Sequence, residues 1–209
     1  MLIYGGTGSG RTLYDSWIAS SLASKPDDWL VCVYDAFDDG IMTNWSWIRD
    51  FRPRNIDLTD NIYRDIDRID HELALRKMIP EDDRERLPRI LLIIDFNDRV
   101  DDYQLIEYIS HLMHTYQDAK LSVIITTQRP DAKLIPEEFR KLFHNNVYLG
   151  FVNPTIRGFD PYFPEAIRRQ LPRKIGLVSH TSSVGYEAAM IPSLSKKDLE
   201  RILNGHCWR

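Results

Sequence analysis

Gly5-Gly6-Thr7-Gly8-Ser9-Gly10-Arg11-Thr12 is the stretch on which the fold turns. It fits the phosphate-loop pattern G-x-x-x-x-G-K-[ST] at every fixed position except the lysine, which here is Arg11. A short apolar run, Leu2 to Tyr4, precedes it, and Leu13 to Ala23 reads as a helix behind it. In that setting the glycines let backbone N–H groups wrap phosphate oxygens, while the helix N-terminus adds positive potential. Gly5, Gly6, Thr7, Gly8, Ser9, Gly10, Arg11 and Thr12 are therefore candidate ATP ligands, with Thr12 the hydroxyl that would ligate Mg²⁺. The plainer reading of such a turn is a tight strand-to-helix connection. Arg11 keeps the charge of the usual lysine but exchanges a compact ammonium for a planar fork. Nucleotide binding tolerates that exchange better than phosphoryl transfer, which depends on fine placement.

A phosphate loop needs an acid on a neighbouring strand to hold the magnesium shell. Ile90-Leu91-Leu92-Ile93-Ile94-Asp95 supplies an apolar strand ending in one. The C-terminal end of a buried parallel strand is where ligands bind in open α/β sheets, which makes Asp95 a candidate metal and catalytic residue. Strand-end aspartates are also common without any such role. Val123-Ile124-Ile125-Thr126-Thr127-Gln128-Arg129-Pro130 is a third element. It ends a buried strand in polar groups beside the presumed γ-phosphate, where Gln128 is a candidate for orienting water.

Further out, short apolar runs alternate with amphipathic ones, the pattern of an α/β domain with a mainly parallel sheet. Strands are expected at Leu2 to Tyr4, Trp29 to Tyr34, Ile90 to Asp95, Leu121 to Thr126 and Val147 to Phe151. A hairpin is expected from Ile175 to Ser179 and Glu187 to Ile191. Ile62, Ile66, Ile69 and Leu73 share one helical face, as do Leu105, Ile109, Leu112 and Tyr116. Ser195 with Asp198 reads as the cap of a last helix. Pro80 to Pro88 reads as an exposed, mobile loop. Trp45 and Trp47 alternate as in a half-buried strand or a partner-binding loop, with packing the expected role. Residues 1–209 read as a single domain with no second one.

The composition, 43% hydrophobic and 28% charged over 209 residues, is that of a soluble globular chain. No apolar run is long enough to cross a membrane, and the N-terminus lacks the features of a signal peptide, so a cytoplasmic location is expected. Cys32 and Cys207 have no metal spacing, and the six histidines are scattered. Lys plus Arg 27 against Asp plus Glu 31 gives a net charge of −4, which excludes a wholly basic nucleic-acid wrapper.

These residues together resemble the FtsK/SpoIIIE branch of the FtsK–HerA motor ATPases. GGTGSGRT is similar to that family's G-x-T-G-S-G-K-S loop, LLIID to its Walker B strand and ITTQRPDA to its A-T-Q-R-P-S motif, in the same order. The segment LTDNIYRDIDRIDHELALRKM resembles the helix before Walker B, and GYEAAMIPSLSKKDLERIL the terminal strand and helix. The resemblance implies a RecA-like P-loop core that binds ATP and Mg²⁺ between subunits of a hexameric ring. Such a ring moves double-stranded DNA or a secreted polypeptide. It also implies an arginine finger, for which Arg157 and Arg140 are the candidates, either of which is also readable as a surface helix arginine.

Three departures limit the inheritance. Arg11 stands for the loop lysine, Phe96 stands where the motif I-D-E has its glutamate, and the chain opens at the first core strand, without the portion that family motors carry before it. A phenylalanine cannot polarise water, and Asp98 would have to curl back to replace the base. The sequence thus supports a translocase ATPase with weak hydrolysis, or a catalytically degenerate nucleotide-binding or scaffold module of a larger machine. A small-molecule kinase is a third possibility, against which TQRP argues.

Overall fold

Branched and aromatic residues pack well on a pleated surface, and the apolar runs of this chain become the strands of one mixed sheet. The computed structural model describes residues 1–6, 8–35, 45–51, 54–59, 61–97, 103–128, 135–149, 175–180, 186–190 and 194–204. Its strands are β1 (Leu2–Tyr4), β2 (Trp29–Asp35), β3 (Ile56–Thr59), β4 (Arg89–Asn97), β5 (Leu121–Thr127), β6 (Asn145–Leu149), β7 (Ile175–His180) and β8 (Tyr186–Met190). They lie in the order β3-β2-β4-β5-β1-β6-β7-β8. The first six are parallel to one another, and β7 and β8 extend the sheet antiparallel. This is the RecA-like P-loop architecture that the sequence implies, with the expected hairpin added beside β6.

Helices α1 (Arg11–Ala23), α2 (Ser46–Phe51), α3 (Ile62–Lys77), α4 (Glu81–Arg84), α5 (Tyr103–Thr115), α6 (Glu137–Arg140) and α7 (Lys196–Leu203) flank the sheet. Alternation along β4 assigns them to two faces. Leu91 and Ile93 pack with Ala19 and Ala23 of α1, Trp47 and Ile48 of α2 and Leu199 of α7. Leu92, Ile94 and Phe96 pack with Ile62, Ile66 and Leu73 of α3 and with Leu105, Ile106, Ile109 and Leu112 of α5. Both expected helical stripes are core-facing. With both faces covered, the central strands can be uniformly apolar.

Side-chain caps start two of the helices. Asn61 accepts a hydrogen bond from the Arg64 N–H at 3.1 Å and starts α3. Ser195 and Asp198 form a reciprocal capping box at the start of α7.

Four expectations change. β3 was not foreseen. Trp45 and Trp47 are buried, but around a helix, α2, rather than in a strand. Between Pro80 and Pro88 the chain forms the short helix α4, tied down by Arg84 donating to Asp118 at 3.0 Å and to the Ile79 carbonyl at 3.1 Å. β6 begins at Asn145, and Phe151 and Ile191, the expected ends of two strands, lie outside the described residues.

Candidate functional site

The segment between β1 and α1 has a shape that requires its glycines. A Cβ on Gly5 would lie 2.4 Å from the Leu149 carbonyl oxygen of β6 and 2.7 Å from Ser9 Oγ, so the loop leaves the sheet through a gap that admits no side chain. Gly8 and Gly10 have φ of 78° and 95°, the left-handed region that favours glycine. The Ser9 N–H closes a turn on the Gly6 carbonyl at 3.1 Å, and Gly10 then starts α1 without any side-chain cap. The first turn of α1 holds no acid. Ser9 is 5% exposed, and its Oγ has no hydrogen-bond partner among the described residues. Thr7 lies outside the described residues.

Two segments far apart in the chain meet here. Thr12 Oγ1 donates to Asp95 Oδ2 at 3.3 Å across 83 residues of sequence. Asp95 is 5% exposed and stands in register with Asp35 of β2 and Thr126 of β5. Thr127 pairs with Tyr4 of β1, so half-buried Gln128 follows directly at the same edge of the sheet. The loop, Thr12, Asp95 and Gln128 therefore converge at the C-terminal ends of β1, β4 and β5, where open parallel sheets bind ligands.

The residues fit a magnesium nucleotide. Left-handed glycines, an uncapped helix N-terminus and a buried hydroxyl beside it suit a phosphate chain. A hydroxyl and a carboxylate held together suit a hard cation with oxygen ligands. When bound, the cation would neutralise charge on the phosphate oxygens. Among the described residues no group of three or more His, Cys, Asp or Glu forms a separate metal cluster.

Sequence reasoning missed Asp15. It lies one helical turn beyond Arg11, is wholly buried, and accepts a hydrogen bond from Thr126 Oγ1 at 2.6 Å. Its Oδ1 has no hydrogen-bond partner among the described residues. Burial pushes its carboxyl well above the usual range and nearby Asp95 adds to the push, against the Thr126 hydroxyl and the Arg11 guanidinium. Arg11 itself is 8% exposed.

Phe96 is 1% exposed and belongs to the core on the α3 and α5 side. The β4–β5 register shifts between Asp95 and Asn97, an irregularity at the residue where the motif would carry its glutamate. Of the finger candidates, Arg140 is 4% exposed rather than a surface residue, and Arg157 lies outside the described residues, as does Asp98.

No protein-family model matches the sequence, and comparison with curated proteins finds no match. Solved structures do match. The chain superposes on the pCW3 conjugation coupling protein TcpA, solved with ATPγS, with a TM-score of 0.71 at 17% identity, covering 99% of this chain and 64% of that one. It superposes on ATPases 2 and 3 of Thermomonospora curvata EccC, in complex with a signal sequence peptide, with a TM-score of 0.70 at 15% identity, covering 97% and 40%. A third match is the genome packaging NTPase B204 of Sulfolobus turreted icosahedral virus 2 in complex with ATPγS, at 0.54 and 14%, covering 91% and 95%. The fold shared with all three is the RecA-like P-loop NTPase fold, and this chain spans less than two thirds of TcpA and of EccC.

Proposed function

We propose that this chain is the nucleotide-binding domain of a translocation ATPase. It holds Mg·ATP on Gly5 to Thr12 and acts within a ring or a larger machine that moves DNA or a polypeptide. The hydrogen bond between Thr12 and Asp95 carries the reading. A glycine turn that served only to connect β1 to α1 would have no reason to present a hydroxyl to a buried carboxylate on another strand. The structural neighbours add that their fold holds ATP analogues in TcpA and B204. In this chain the backbone of the loop would bind the phosphates, Arg11 would supply charge, Thr12 and Asp95 would hold the cation, and Gln128 would orient water.

Phe96 favours a second reading, in which the domain binds nucleotide and hydrolyses it slowly or not at all. Its ring is packed among core residues, and no proton can be moved at that position. Losing a general base typically costs about 10²- to 10⁴-fold in rate.

Calorimetry of Mg·ATP against the wild type, Thr12→Ala and Asp95→Asn tests the first claim. Binding that weakens at least tenfold in both variants, and in the wild type when EDTA is present, is expected; equal binding throughout sinks it. Phosphate release and sedimentation, with and without double-stranded DNA, separate the two readings. Turnover that rises with DNA alongside a nucleotide-dependent oligomer supports a motor, and bound nucleotide without either supports the degenerate module. Among the described residues no helix is long and apolar enough to cross a membrane.

A further inference from the structure

Two hydrogen bonds of opposite sense join α1 to the sheet. Thr12 of the helix donates to Asp95 of β4 at 3.3 Å, and Thr126 of β5 donates to Asp15 of the helix at 2.6 Å. Thr12 and Asp15 are three residues apart and so share one face of α1. Asp95 and Thr126 are direct neighbours across β4 and β5. Both face α1, because Ile93 and Ile124, each two residues earlier, pack on that side. The strand is tied to the other end of the loop as well, where the Gly5 N–H donates to the Thr127 carbonyl at 3.3 Å. The first bond joins the two groups that would hold the cation. The second joins two wholly buried side chains with no place in the ligand shell.

A carboxyl at position 15 works against the fold. Its Oδ1 has no hydrogen-bond partner among the described residues, and Ala19, one turn along α1, belongs to the apolar core. What it supplies is an acceptor for Thr126. We propose that Asp15 is a positioning residue for the cation site: its bond to Thr126 fixes the first turns of α1 against the end of β5, so that Thr12, Asp95 and Gln128 keep their spacing when the cation draws on Thr12 and Asp95. This rests on the phosphate-loop reading above. It adds a preference among cations. Mg²⁺ demands near-ideal octahedral geometry whereas Ca²⁺ accepts irregular sites, so a helix released from β5 loses Mg²⁺ first.

Removing one member of the pair leaves the other buried without its partner, so single apolar variants can fail by unfolding. Asp15→Leu combined with Thr126→Val removes both polar groups together and should match the wild type in urea unfolding. Asp15→Asn keeps an acceptor for the Thr126 hydroxyl and is the conservative control. Calorimetry should show the double variant binding Mg·ATP at least about tenfold more weakly than the wild type, with Ca·ATP changed less than about threefold. Asp15→Asn should stay within about twofold of the wild type for both. Without any nucleotide, amide exchange in residues 14–18 should be faster in the double variant than in Asp15→Asn. An unchanged Mg·ATP affinity in the double variant, an equal loss for Mg·ATP and Ca·ATP, or an Asp15→Asn variant as weak as the double one overturns the positioning role and leaves the phosphate loop standing. A double variant far less stable than the wild type makes the pair a support of the fold and overturns the role too. Failure of the wild type to bind either complex overturns the phosphate loop, and the positioning role with it.

Discussion

Replacing Phe96 by Glu would supply the acid of the motif I-D-E on paper and should instead damage the fold. The ring is 1% exposed within the α3 and α5 core, so its transfer from water is worth about 1.5–3 kcal/mol. Removing a buried phenylalanine costs about 3–5 kcal/mol once the space left behind is included. A glutamate there adds a carboxylate to an apolar cluster, so Phe96→Glu should lose at least about 4 kcal/mol at pH 8. For a chain of this size that corresponds to a fall of about 8–16 °C in melting temperature. Phe96→Leu should lose only about 1–1.5 kcal/mol. Burial would raise the pKa of the new carboxyl above its unfolded value, so the native state would retain the proton over the window between the two. Its stability should therefore fall as pH rises through that window, and the gap to Phe96→Gln should narrow between pH 8 and pH 4.5. Urea unfolding of the four proteins at both pH values is the assay. A Glu variant within about 1 kcal/mol of wild type at pH 8, with no pH-dependent gap to Gln, would refute the burial argument and mean that position 96 reaches the site.

Three further outcomes are expected. Gly5→Ala, whose Cβ would press on the Leu149 carbonyl, should both destabilise the chain and abolish ATP binding, whereas Gly8→Ala, which has open space around its Cβ, should lose only the left-handed backbone cost of about 1–2 kcal/mol; thermal melts with calorimetry distinguish them. Asp15 keeps its proton in the folded state above the pH at which the unfolded chain loses it, so it contributes a loss of stability as pH rises from about 4 through its raised pKa. Asp15→Asn should flatten that part of a stability–pH profile measured by urea unfolding, and an unchanged slope contradicts the assignment. Ser195→Ala removes one half of the capping box and should cost about 0.5–2 kcal/mol, with faster amide exchange at the start of α7 as the check.

Much of the sheet was legible because its central strands are buried on both faces. Leu2 to Tyr4, Ile90 to Ile94 and Val123 to Ile125 are uninterrupted apolar runs with no other packed use. β3 escaped notice for the opposite reason, since Ile56–Thr59 is only four residues long and its apolar Ile56 is followed by an exposed Asp57. The tryptophan alternation around α2 misled because two buried aromatics two residues apart fit a strand as readily as the turn entering a short helix. At the site, the loop and Asp95 announce themselves by pattern, and the structure shows that they touch through Thr12. Asp15 carries no such signal. Its role depends on Thr126, which is 111 residues away in sequence and meets it only when α1 lies against β5.

The place of β1 within the sheet has a consequence for how the chain is made. Its neighbours are β5 and β6, so the three residues that launch the phosphate loop find their hydrogen-bonding partners only among residues 121–149. At translation rates of about 5–20 residues per second, the ribosome needs about 7–30 s to reach that point. Throughout that interval the glycine stretch hangs from a strand with no sheet to join, while β2 can await β3 and β4 from a shorter distance. A nascent chain stalled before β6 has emerged would lack the Leu149 carbonyl that Gly5 passes and one of the two edges that hold β1. The loop thus takes its final shape only once β6 has been made, well after its own residues.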